Sequence, residues 1–175
     1  MGNFLVWSDL HTEFEDFDIP IPGCRHGSRL DAPTCEDVDA ILLPGDLATG
    51  GLHVDLLLRI WDIWRVPVLA VAGNHEPYGA ESYQSFIAIE QERIAHLREL
   101  GADIDVLRRK ERIIGNTRVL GATLWTDFEL YPEMMPAAIE QVGRSLEAYS
   151  PIKWQDALGA HVRKLSVSGV ISEHR

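Results

Sequence analysis

Val68-Leu69-Ala70-Val71-Ala72-Gly73-Asn74-His75-Glu76 is an apolar run that ends in a glycine followed by an amide, an imidazole and a carboxylate. Two earlier segments have the same design. Phe4-Leu5-Val6-Trp7 leads into Asp9-Leu10-His11, and Ala40-Ile41-Leu42-Leu43 leads into Gly45-Asp46. Short apolar runs bounded by glycine and polar residues read as buried strands. In open α/β sheets, ligands bind just beyond the carboxyl ends of the strands. Carboxylate, imidazole and amide oxygen or nitrogen are the donors that hard and borderline divalent cations take. The three clusters therefore predict one rim lined with metal-ligand side chains.

Each cluster alone has a blander reading. Asp9-Leu10-His11 is compatible with a polar turn, and Gly45-Asp46 with a turn in which the aspartate bonds the backbone. Asn74-His75 also suits a helix N-terminus, with Glu76 favourable in the first turn. It is the conjunction of three, each after an apolar run, that carries the metal reading.

The rest of the chain predicts a mixed α/β fold. Residues 3–7, 39–44 and 67–72 read as buried strands. A long irregular loop over 12–34 contains Pro20, Pro22, Gly23, Gly27 and Pro33. Residues 53–65 and 80–100 read as helices, the second stopped by Gly101. Residues 104–107, 112–114 and 117–124 read as strands, the last two joined by a Gly115-Asn116 hairpin turn. Residues 137–148 and 154–166 carry helical spacing. With no repeat and no composition break, residues 1–175 are expected to form one domain with helices covering a central sheet.

Composition excludes several classes. The net charge of -11 argues against a nucleic-acid or anionic-membrane surface, since both attract basic patches. It leaves a phosphorylated substrate open, because metal ions can reverse the sign of an acidic site. No signal-like leader and no transmembrane-length run is evident, so the expectation is a cytoplasmic protein. Cys24 and Cys35 make no disulfide framework, and Cys24-x-His26 fits no closed zinc pattern, so reduced thiols are expected. The absence of G-x-G-x-x-G after the first strand counts against a dinucleotide-binding domain.

The order of the clusters resembles the calcineurin-like metallophosphoesterase family, whose pattern is D-x-H, G-D, G-N-H-[DE], a lone His, then G-H-x-H. The first three blocks stand here as Asp9-Leu10-His11, Gly45-Asp46 and Gly73-Asn74-His75-Glu76. They are separated by 35 residues from His11 to Asp46 and 28 from Asp46 to Asn74. The resemblance covers about residues 3–127, including Gly121-Ala122-Thr123-Leu124-Trp125. It implies a mixed-sheet α/β sandwich of the metallo-dependent phosphatase type. It also implies a phosphohydrolase that cleaves phosphate mono- or diesters by a metal-bound hydroxide.

By position, the resemblance makes Asp9 and His11 ligands of a first metal, Asp46 a bridge and Asn74 a ligand of a second. His75 becomes the unligated group at the leaving oxygen, with Glu76 either orienting it or capping the surface. The metals implied are manganese, iron or zinc, two in an intact family site. Other residues are candidates for the site: His53 could face it, Trp125 and Asp127 could line it, and Tyr78 could stack on substrate. His96 reads as a surface residue, and Arg108, Arg109, Lys110 and Arg112 as a solvated basic hairpin.

The family pattern breaks after residue 127. The later histidines are His161, inside the helical pattern of 154–166, and the penultimate His174; neither stands in G-H-x-H. The expectation is a C-terminally incomplete domain whose first metal lacks one histidine and whose second lacks two, so that one metal is held. An exposed sheet edge would then favour self-association. The alternative to an impaired enzyme is an inactive metal-binding or interaction fragment of a phosphoesterase.

Overall fold

A computed structural model describes residues 2–23, 33–145, 151–155 and 161–174 of the chain. Its centre is a four-stranded parallel sheet in the order β1 (Phe4–Val6), β2 (Ala40–Leu43), β3 (Val68–Ala70) and β4 (Ile104–Val106). Phe4 pairs with Ala40, Ile41 with Val68, and Val68 with Ile104. The register aligns the carboxyl ends of β1, β2 and β3, and so brings their polar clusters to one rim. The fold is mixed α/β, as the sequence predicts, with the antiparallel pairs in separate sheets: β5 (Lys110–Ile114) with β6 (Thr117–Gly121), and β7 (Lys153–Gln155) with β8 (Val162–Lys164).

The near-continuous apolar runs follow from burial on both faces, which parallel strands normally require. Ile41, Leu43, Val68, Ala70, Ile104 and Val106 point to one side and pack with α1 (His53–Trp64) and α2 (Tyr83–Glu99). Ala40, Leu69 and Leu107 point to the other and meet Ile114 and Val119 of the β5–β6 hairpin. On α1, Val54, Leu57, Ile60 and Trp64 form the buried stripe. The Trp64 indole donates to the Pro20 carbonyl at 2.8 Å, tying the described part of the 12–34 loop to the helix.

Local signals place the helices. The Ser82 hydroxyl caps α2 by accepting from the Ser85 amide at 3.1 Å, while the Ser85 hydroxyl accepts from the Ser82 amide at 2.9 Å. Such a cap is worth about 1 kcal/mol. Gly101, at φ +97°, ends the helix where the sequence predicts. No described helix is long and apolar enough to cross a membrane.

The C-terminal expectations need correction. The 137–148 helix is found over its described residues as α3 (Met135–Ser145), but the described residues of 154–166 are not helical. They form β7 and β8, followed by α4 (Val167–His174). The spacing of Trp154, Val162 and Leu165 mimics a helical stripe. What decides is tertiary packing: Trp154 stacks on Tyr83 with ring centroids 5.7 Å apart, and the Leu165 amide donates to the Ile152 carbonyl at 2.7 Å. Cys24 and His26, the residues of the Cys24-x-His26 pair, lie outside the described residues.

The basic run is also only partly a solvated hairpin. The Arg108 guanidinium is drawn inward to Glu90, with Nε and Nη2 at 2.9 and 3.0 Å from its two oxygens. Glu90 is buried and also bonds the Nε2 of buried His53 at 2.8 Å. These groups form a charged cluster between α1 and α2. His53 is thereby spoken for in the helix interface.

Candidate metal centre

The rim is built by three loops that continue the sheet's own pairing. Beyond the end of β1, the Asp9 amide donates to the Gly45 carbonyl at 3.1 Å, the His11 amide to the Asp46 carbonyl at 3.0 Å, and the Thr12 amide to the Leu47 carbonyl at 2.9 Å. Asp9, His11 and Asp46 all sit at positive φ, at 54°, 44° and 54°. That left-handed region costs a residue with a Cβ about 1–2 kcal/mol. Such strain persists where surrounding bonds over-determine it, and it clusters at functional sites. Here the inter-loop hydrogen bonds hold it.

The second and third loops touch backbone to backbone. Gly45 lies at φ +99°, and a Cβ on it would lie 2.9 Å from the Gly73 amide nitrogen. A Cβ on Gly73 would lie 2.2 Å from Asp46 Oδ1. The glycine of each motif therefore has a spatial reason: a side chain on Gly45 would push the Gly73 backbone away, and one on Gly73 would push the Asp46 carboxylate out of place.

Within this frame Asp9, His11 and Asp46 each offer one ligand atom, and the three atoms lie within 4.8 Å of one another. Two carboxylates and one imidazole suit a borderline divalent cation. Asp46 Oδ1 also accepts the His75 amide at 3.1 Å, and the Ser8 hydroxyl donates to Asp9 Oδ2. Asn74 is on the adjoining loop, and its Nδ2 donates to the Tyr78 hydroxyl at 2.6 Å. With the amino end so engaged, the amide's acceptor end, Oδ1, is the one left for a cation. Burial pushes the Tyr78 hydroxyl pKa up, and the nearby Asp46 charge adds to this against the opposing Asn74 bond. It thus stays a neutral acceptor for Asn74. These donors fit the metal that the sequence implies.

His75 is placed beside this group by a residue the sequence reading missed. Its Nδ1 is 2.9 Å from Glu13 Oε1, and the same oxygen is 3.3 Å from His11 Nδ1. The two imidazoles are 4.4 Å apart at 75°, and the other side of the His75 ring packs on Tyr78 at 4.6 Å. Burial raises the Glu13 pKa, but bonds from its own amide and from His75 and His11 outweigh it, so the net shift is downward. Glu13 is an anion between two imidazoles. Only the D-x-H-x-E spacing could have flagged it.

Glu76 performs neither role expected of it. It is fully buried, with Oε1 accepting the Leu47 amide at 2.6 Å and Oε2 accepting the Gly73 amide at 2.7 Å. It clamps the loop carrying Asp46 to the loop carrying Asn74. Burial raises its pKa against these bonds and the charge of nearby His53.

Trp125, buried in a small apolar cluster with Tyr83 and Ile152, lines a cavity together with Gly73 and Asn74. Asp127 does not line that cavity; its Oδ1 accepts the Glu129 amide at 2.9 Å in a turn. His96 is exposed on α2, as expected. His161 is exposed just ahead of β8, and none of the metal-capable groups among the described residues includes it. The side chain of His174 lies outside the described residues.

A family model of calcineurin-like phosphoesterases matches residues 2–143, further along the chain than the motifs alone reach. The chain belongs to the calcineurin-like phosphoesterase family. No curated protein and no solved structure matches it.

Proposed function

We propose that the chain is a metal-dependent phosphohydrolase in which Asp9, His11 and Asp46 hold one divalent cation. Asn74 adds a weaker second position shared with Asp46, and His75 serves the leaving oxygen. The observation that carries this reading is the convergence of the Asp9, His11 and Asp46 ligand atoms on strained, hydrogen-bonded loops. Manganese, iron or zinc suits the mixed nitrogen and oxygen donors better than calcium. When bound, such a cation supplies a Lewis acid and lowers the pKa of water toward neutrality. The substrate class is a phosphate mono- or diester.

The chain's own residues divide the remaining work. The carboxylates of Asp9 and Asp46 neutralise the cation. His75, oriented by Glu13, presents Nε2 as a proton donor to the departing oxygen, a role that suits an imidazole near neutral pH. Tyr78 supports the His75 ring and turns Asn74.

His75→Ala is expected to lower hydrolysis of an alkyl phosphate ester by roughly 10²–10⁴-fold, the usual worth of a general acid. A 4-nitrophenyl ester, whose leaving group departs without a proton, should lose far less. Calorimetric manganese binding should stay intact. Equal losses on both esters would remove His75 from the leaving-group role.

A second reading, metal binding without turnover, is favoured by one observation. Among the described residues no further histidine joins Asp46 and Asn74 to complete a second site. Manganese bound with no hydrolysis of either ester would select it.

A further inference from the structure

We infer that Glu13 fixes the tautomers of two histidines at once. It holds the Nδ1–H of both His11 and His75, so that Nε2 faces the rim on both rings, as the ligand lone pair of His11 and as the atom of His75 that takes up the proton passed to the leaving oxygen. This rests on the reading of His11 as a ligand and His75 as the leaving-group residue. Its test does not depend on turnover.

A neutral imidazole has one donor and one acceptor nitrogen, whereas an ionised carboxylate only accepts. Glu13 Oε1 faces the Nδ1 of His75 at 2.9 Å and of His11 at 3.3 Å, so both nitrogens must carry their protons to bond it. The Glu13 side chain is only 12% exposed, so water competes weakly for these bonds. Bonds to a charged acceptor are about twice as strong as neutral ones.

The anchor is also rigid. Thr12 is fixed to the Leu47 carbonyl by its amide at 2.9 Å and its hydroxyl at 3.1 Å, and the Phe14 amide donates to the His11 carbonyl at 2.9 Å. Glu13 thus sits in a pinned turn between two held neighbours. In water a neutral histidine prefers the Nε2–H form, which would turn a proton toward the cation position. One carboxylate reverses that preference at both rings. Metal-bound histidines commonly donate their second N–H to such a partner. What is particular here is that the same oxygen serves a ligand and a proton donor, coupling the two.

Long-range ¹H–¹⁵N spectra of the histidine rings in the metal-free protein test this directly. Both His11 and His75 should read as Nδ1–H in the wild type, with exposed His96 as the ordinary reference. Glu13→Ala should move both toward Nε2–H and weaken manganese binding about 10–100-fold. Added zinc should perturb His11 Nε2 while its Nδ1–H persists.

Nε2–H with a bare Nδ1 at either ring in the wild type would overturn the inference, and that spectrum needs no variant to fold. Loss of both Nδ1 protons on adding zinc would also overturn it, by placing a cation on His11, Glu13 and His75 instead. If the tautomers are as stated yet neither ester is hydrolysed, the inference stands and the phosphohydrolase reading falls.

Discussion

Asp46→Asn lowers metal-stimulated phosphoester hydrolysis by more than about a hundredfold while leaving the fold in place. Loss of a group merely supporting a ligand costs 10–100-fold in affinity or activity, and Asp46 is proposed as a ligand itself. The substitution is a clean one. Asparagine keeps an oxygen for the His75 amide, which Asp46 Oδ1 accepts at 3.1 Å, and the backbone carbonyl still receives the His11 amide at 3.0 Å. Asparagine also tolerates the left-handed φ of 54° better than most residues. Only the charge is lost. Thermal unfolding of the metal-free variant should match the wild type, and hydrolysis that survives unchanged would remove Asp46 from the site.

Glu76→Ala produces the largest stability loss expected in the rim. Two amides, the buried one of Leu47 and the half-buried one of Gly73, lose their acceptor together. An unsatisfied buried donor costs about 1–3 kcal/mol, the least expected here from Leu47 alone. That compares with a total of about 5–15 kcal/mol for an ordinary domain. Urea unfolding of the metal-free protein should show the drop in midpoint, and an unchanged midpoint would mean that the two loops need no clamp.

A pH signature accompanies it. Burial raises the folded pKa of Glu76, so just above the ordinary carboxylate pKa the folded chain holds a proton that the unfolded chain has released. The contribution of Glu76 is therefore full at acid pH and declines as pH rises through the folded value. Urea midpoints of wild type and Glu76→Gln, compared on both sides of the ordinary carboxylate range, should show that decline in the difference. A difference that grows with pH would contradict it.

The rim was legible because it obeys a local rule: an apolar strand, then a glycine or turn, then ligand-type side chains. The positions of the four sheet strands and of α1, α2 and α3 followed from periodicity, and the Gly115 turn and the Gly101 stop from backbone freedom. What could not be read were contacts made across loops. Glu13 is an acidic residue in a polar turn, and its partner His75 lies 62 residues away. Glu76 looks like a first-turn acid until two amides from different loops are seen to need it. Arg108 sits in a run of surface-type cations and is claimed by a buried glutamate. In 154–166 the apolar spacing was real, but packing against α2 won over helical period.

The most direct test is to strip the protein with a chelator, then titrate manganese while following hydrolysis of a 4-nitrophenyl phosphodiester and the metal bound. Metal-dependent hydrolysis at the Asp9–His11–Asp46 rim predicts that activity disappears on chelation and returns as about one tightly held ion per chain binds, with Asp46→Asn showing no return. Hydrolysis that continues unchanged without metal, or that returns equally in Asp46→Asn, would contradict it.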